Sequence, residues 1–220
     1  MCWSATADLV AGAAVVSVGA ACLIRTRHAG ELPLAALPLL LGTHQLVEAQ
    51  IWHTGGGTGA ATAAWAVIAL PVLALWVPVG VWCAVAGPAR RRVTALVAVG
   101  AVTAGFLAYS LATRPVRAEI RGHTMAYVIG LPRAELLVAG YLIATVGALL
   151  LSGDRWLTGL GVLAGAGALV CWLLWRLEFV STWCALAAVC SVVLYGWVRG
   201  RATRGGRWSV PAPSHCRDSA

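Results

Sequence analysis

The chain has 220 residues, 60% of them hydrophobic and 11% charged, with a formal net charge of +8. Its apolar stretches repeatedly reach the roughly 20 residues that cross a bilayer core of about 30 Å, which excludes a soluble domain and predicts an integral membrane protein. The 16 basic residues are all arginine. Many of them bound apolar runs or lie in the C-terminal tail, where they orient helices and touch lipid phosphates, and no nucleic-acid module is implied.

In chain order, apolar runs between Arg, Gly and Pro breaks predict seven transmembrane helices near residues 6–24, 33–52, 60–86, 93–112, 134–152, 156–175 and 179–198. The fold class is therefore an all-α polytopic membrane bundle. Met1 to Ser4 lacks a basic start and no small-residue cleavage site precedes Arg25, so the first segment is expected to stay as a helix. The third run is longer than a span requires and carries Pro71 and Pro78, which predicts a kink or tilt. Only Arg176 to Glu178 join the last two runs, in a tight hairpin. Residues 1–198 form the membrane domain, and 199–220 read as a basic, disordered cytoplasmic tail. Seven cysteines without a repeated CxxC read as small core residues.

Orientation follows from arginine placement. With the amino terminus outside, the inner loops and tail hold Arg25, Arg27, Arg90 to Arg92, Arg155 and the five tail arginines, leaving five for the outer face. That asymmetry favours amino terminus out and carboxyl terminus in, in a multi-pass cell-membrane protein. The loop 113–133 carries four of the five outer arginines and argues the other way.

Polar residues gather toward one end. Cys2, Ser4 and Asp8 open the first helix there, His44, Gln45 and Glu48 end the second, and Glu178 opens the seventh, whereas the cytoplasmic half of every helix is almost free of such groups. Lone polar groups in hydrocarbon cost several kcal/mol each, so a polar pocket in one leaflet is expected. His44 and Glu48, spaced i, i+4, share a helical face. At about 1.5 Å per residue, Glu48 lies roughly 6 Å and His44 roughly 12 Å below Trp52. At that depth the protonated carboxyl is the cheaper form unless His44 or an arginine pairs with it, and a protonated Glu is a usable acid. The bland alternative is that Glu48 only hydrogen-bonds a neighbouring helix.

Glu178 lies beside Arg176 in a first helical turn, where the helix dipole favours an acid in any case. Trp172, Trp175 and Trp183 surround it; such indoles serve as interfacial anchors, and aromatic faces also stabilise cations. The loop holding Glu119, His123 and Tyr127 leads into Glu135 at the fifth helix. Within it Arg114, Arg117 and Arg121 fall at helical spacing, which predicts an interfacial helix on lipid headgroups, or else a clamp for an anionic substrate. His44, Glu48, His53 and His123 are too few and too scattered for a multi-metal oxygenase, so no metal and no cofactor are expected. Gly159, Gly161, Gly165 and Gly167 lie inside a hydrophobic helix and read as small residues that let helices approach. The Gly55 to Gly57 turn lacks the Lys and Ser or Thr of a phosphate loop, and neither GxSxG nor HExxH occurs.

The opening Met1-Cys2-Trp3-Ser4-Ala5, the stretch Leu32-Pro33-Leu34 through His44-Gln45-Leu46-Val47-Glu48, and the run Glu178-Phe179-Val180-Ser181-Thr182-Trp183-Cys184 resemble a family of small actinobacterial membrane proteins, most of them uncharacterised. In size, helix count and two-carboxylate layout the chain also resembles the seven-helix membrane terpene cyclases of fungal meroterpenoid and bacterial indole sesquiterpenoid biosynthesis. That resemblance implies an early-helix and a late-helix acid, corresponding here to Glu48 and Glu178; the fungal enzymes have Asp at the late position. It implies proton-initiated cyclisation of a lipophilic, farnesyl-type prenylated substrate. Glu48 would donate the proton, Trp172, Trp175, Trp183, Tyr127 and His123 would line the substrate, and Glu178 or His44 would take the final proton. The competing readings are a proton-coupled small-molecule transporter using a Glu48–His44 relay, and a non-catalytic membrane subunit.

Overall fold

The computed structural model describes residues 4–122, 124–174 and 179–205, with the side chains at 124, 174, 179–185 and 204–205 also outside the description. Seven helices carry the fold: α1 (Ala5–Arg25), α2 (Ala29–His53), α3 (Ala60–Ala84), α4 (Gly87–Thr113), α5 (Ala134–Leu150), α6 (Arg155–Leu174) and α7 (Phe179–Gly205). Five of the described helices are long and apolar enough to cross a bilayer, and α5 is a shorter apolar helix. Large apolar side chains such as Ile24, Val102, Phe106, Leu136 and Val192 point outward, as the lipid-facing wall of a membrane bundle does and a soluble surface does not. The protein is a multi-pass helical membrane protein.

Local chemistry sets the helix ends. Ser4 caps α1 by accepting the Ala7 N–H at 3.1 Å. Within α2, Leu32–Ala35 and Leu37–His53 are consecutive helical pieces, and Pro33 and Pro38 sit in the first turn of each, where a missing N–H costs nothing. In α3 the segment Ile68–Val72 relaxes into a π-turn around Pro71, the break expected for that run. There the Ala69 carbonyl accepts the Tyr141 hydroxyl at 3.1 Å, which ties α3 to α5.

The α1–α2 contact is close and depends on glycine. Asp8, Gly12, Val15, Gly19 and Cys22 form the buried stripe of α1. A Cβ on Gly19 would lie 2.5 Å from the Leu39 backbone nitrogen, one on Gly42 2.6 Å from that of Val16, and one on Gly12 2.9 Å from Leu46. Each turn up α1 thus meets the next turn along an antiparallel α2. Gly19→Ala is expected to lower stability by about 1–3 kcal/mol through overpacking against backbone. Gly159→Ala, at a position with open space, should be neutral in the same thermal unfolding series in detergent.

Between α4 and α5 the structure departs from the sequence reading. Val116–Arg121 and Thr124–Ile129 form an antiparallel hairpin, β1 and β2, pairing Ala118 with Tyr127 and Ile120 with Met125. The interfacial helix predicted from Arg114, Arg117 and Arg121 does not form. The stretch Val116-Arg117-Ala118-Glu119-Ile120-Arg121 alternates apolar and charged residues with period two, and that period wins over the helical spacing of the arginines alone. Gly122, directly after β1, takes a positive φ of 62°, which glycine adopts without strain. The apolar face, with Ala118 and Met125 buried, lies on Ile51 and Trp65 at the end of the bundle. Arg117 and Arg121 point away, Arg121 pairing with Glu119 at 2.9 Å. The Gly55 to Gly57 turn docks the hairpin: Gly57 exchanges two backbone hydrogen bonds with Ala118, at 2.8 and 3.0 Å. A Cβ on Gly56, which has a φ of 82°, would strike the Ala118 carbonyl.

Two further expectations change at the opposite end. α7 continues to Gly205, past the tail boundary at 198 read from hydropathy. That end is also not free of polar groups. Arg201 binds Glu31 at 3.1 Å and Asp154 at 3.2 Å, with all three largely withdrawn from solvent. Asp154 caps α6 as well, accepting the Trp156 N–H at 2.9 Å, while its second oxygen accepts the Trp197 indole N–H at 3.2 Å. Among the described cysteines, Cys22 and Cys171 are buried and unbridged, as small core residues.

Candidate functional site

At the hairpin end, α2 brings Glu48 into the protein interior with no exposed surface. Leu41, His44 and Glu48 follow one another at helical spacing, and both ionisable side chains are buried. The Tyr127 hydroxyl, carried by β2, donates to Glu48 Oε1 at 3.0 Å. Tyr127 is itself held by stacking on Trp65, with ring centroids 3.4 Å apart and planes 8° from parallel. Trp65 is fully buried, and the His44 ring lies 4.9 Å from it with its plane tilted by 36°. A carboxyl, a phenol, an indole and an imidazole from α2, α3 and the hairpin therefore form one contiguous group. The aromatic stack adds about 1 kcal/mol beyond its buried area and fixes the phenol's direction.

Asp8 belongs to this group. It is 1% exposed and within electrostatic reach of Glu48 and of the Trp52 indole N–H. The helix register requires as much. Gly19 meets Leu39, Gly42 meets Val16 and Gly12 meets Leu46, so the next turn of α1, at Asp8, faces the turn of α2 that holds Glu48 and Trp52.

Below the acid group, His44 and Gln45 form part of the wall of an apolar cavity of about 100 Å³. Leu41, Leu73, Leu107, Leu137 and Tyr141 supply much of the rest. Val138, also in the wall, is 42% exposed, so the cavity borders the lipid-facing surface at α5. Ala69 and Leu70 of the π-turn also line the cavity, next to Tyr141, whose hydroxyl donates to the Ala69 carbonyl.

The structure thus brings together Glu48, His44 and Tyr127. It places Trp172 apart from them, 48% exposed on α6 and not among the side chains that line the cavity. His123, Trp175 and Glu178 lie outside the described residues, as does the side chain of Trp183. Sequence reasoning assigned no role to Trp65, because an indole near a helix end reads as an interfacial anchor whether or not it is buried. It placed Asp8 at the polar end but gave it no chemical role, although Gly12 and Gly19 share with Asp8 the buried face of α1.

Comparison with known proteins places the chain by sequence. The family of unknown function DUF6629 matches residues 1–208, nearly the whole length. The chain belongs to that family. No curated protein and no solved structure matches it. The match spans every element described above, so the hairpin, the Asp8–Glu48 region and the apolar cavity lie within the part of the chain that defines membership.

Proposed function

We propose that this protein is an integral-membrane cyclase that starts cyclisation of a farnesyl-type prenyl chain by protonating it. The observation that carries the reading is a fully buried carboxyl, Glu48, fixed by Tyr127 one helical turn from His44, which lines an apolar cavity that Glu48 itself does not line. Pockets that enclose a whole drug-sized ligand run to roughly 300–1,000 Å³. A cavity of about 100 Å³ suits only the terminal part of a prenyl chain, and the remainder would lie toward lipid past the exposed Val138.

The chemistry balances without a cofactor. The alkene π pair of the terminal unit takes the proton from the acid, leaving a carboxylate and a tertiary carbocation. A second alkene of the same chain attacks that cation and closes the ring. His44, in the cavity wall, accepts the proton lost when the last cation becomes an alkene, and returning that proton to the acid resets the site. An epoxide opened by the same proton would follow the same course. Water is a competing nucleophile for any such cation, and the leucine lining and the hairpin cap exclude it. The substrate class is a lipophilic prenylated aromatic acceptor that reaches the site from the bilayer, with membrane lipids as the other partner.

The test is expression in membranes supplied with a farnesylated aromatic acceptor and its terminal epoxide. A cyclised isomer of the substrate is the expected product. If wild type forms none with any prenylated acceptor, while Glu48-dependent proton flux appears in proteoliposomes, the cyclase reading falls and a proton-coupled transporter takes its place.

A further inference from the structure

Asp8 is a buried acid that the cyclisation scheme above does not use. Its side chain is on the face of α1 that packs into α2 through Gly12 and Gly19, and neither carboxyl oxygen has a hydrogen-bond partner among the described residues. The Trp52 indole N–H, which faces the same turn, is also without one. Glu48, by contrast, accepts the Tyr127 hydroxyl on one oxygen. Two carboxyl groups thus occupy one interior region, 1% and 0% exposed, one of them held as an acceptor and the other with the Trp52 indole N–H nearby but outside hydrogen-bonding geometry.

Ionising both would place two like charges side by side out of water, which costs far more than ionising either alone. A buried carboxyl that accepts no well-formed hydrogen bond is cheapest in its neutral form, where its own O–H can donate. The other titratable groups around the pair, among the described residues, are His44 on α2 and Tyr127 on β2.

We propose that Asp8 and Glu48 form a carboxyl–carboxylate pair that shares a single proton at neutral pH, with Asp8 as the second acid of the site. The proton moves between the two carboxyls: Asp8 stores it while Tyr127 steadies the charge on Glu48, and Glu48 takes it up to deliver it. The pair's use as a source of protons for a prenyl chain rests on the cyclase reading. The shared proton itself does not depend on it.

The test is infrared difference spectroscopy of the full-length protein in lipid vesicles at pH 7, without substrate. Wild type should show one protonated-carboxyl C=O band that shifts in D2O. Asp8→Asn should remove that band, because a lone Glu48 facing amide and phenol donors ionises. Where Asp8→Asn does not fold, Glu48→Gln is read instead: the band should stay but shift, because the Asp8 carboxyl no longer faces a carboxylate, and an unshifted band counts against the pair. A wild-type spectrum with no such band, or a band that ignores the substitution, overturns the pair. A band with the expected behaviour in a protein that cyclises nothing removes only the enzymatic reading. Glu48-dependent cyclisation without the band removes only the pair.

Discussion

Replacing Glu48 by Gln should cut cyclisation of a prenylated acceptor by about 10²- to 10⁴-fold, the range over which a positioned general acid contributes. The substitution keeps the shape of the side chain and its acceptor oxygen for Tyr127, so the protein should still reach the membrane folded. What is lost is the ionisable proton. His44→Gln should be milder: it leaves the first proton transfer intact and removes the base in the cavity wall, so uncyclised substrate should not accumulate as it does with Glu48→Gln. Product yield per folded protein, from matched membrane preparations, separates the two. If Glu48→Gln lowered yield only in proportion to protein level, Glu48 would be a packing residue.

The second large effect lies at the opposite end of the bundle. Arg201→Ala should destabilise the protein by about 3 kcal/mol, because it leaves Glu31 and Asp154 withdrawn from water with their cation gone. Arg201 also reaches the Ala84 carbonyl and lies over the Trp197 ring, so one side chain joins the start of α2, the end of α3, the start of α6 and α7. Arg201→Lys should recover only part of the loss, since an ammonium cannot span both carboxylates as a guanidinium fork does. The pH dependence has a defined sign. Burial pulls the Asp154 carboxyl upward, but the Trp156 N–H, Arg201 and the Trp197 N–H outweigh it and hold the group below its ordinary value of 3.8. A lowered carboxyl adds stability above that ordinary value and loses it as pH falls toward the folded value. In Arg201→Ala this acid limb should move to higher pH. Thermal unfolding in detergent between pH 3 and pH 7 measures both effects; equal melting curves for Arg201→Ala and wild type would show the cluster to be dispensable.

The seven helices were legible because hydropathy runs of this length have few other uses, and the Pro71 break was legible because proline removes a hydrogen bond wherever it stands. The hairpin was misread for a specific reason. Three arginines at helical spacing were weighed above the period-two alternation of the residues between them, and the second strand, Thr124-Met125-Ala126-Tyr127-Val128-Ile129, carries no arginine at all. The candidate site divides in the same way. Glu48 and His44 lie on one helix, so spacing alone joins them. The contact of Tyr127 with Glu48 crosses 79 residues of chain and depends on how the Gly55 to Gly57 turn docks the hairpin, which no local pattern records. Arg201 reached Glu31 across 170 residues for the same kind of reason, after its charge had been assigned to lipid. Asp8 was half legible. Its polarity was plain, but only the glycine register against α2 places it beside Glu48.

The central claim is that a buried acid starts cyclisation by giving a proton to a prenyl chain. The most direct measurement is mass and NMR analysis of product formed by wild-type protein, in D2O-equilibrated membranes, from an unlabelled farnesylated acceptor. The expected product is an isomer of the substrate carrying one deuterium, located at the terminal isoprene unit, and absent when Glu48 is replaced by Gln. Cyclised product without deuterium, deuterium placed elsewhere, or the same labelled product from the Glu48→Gln protein would contradict it.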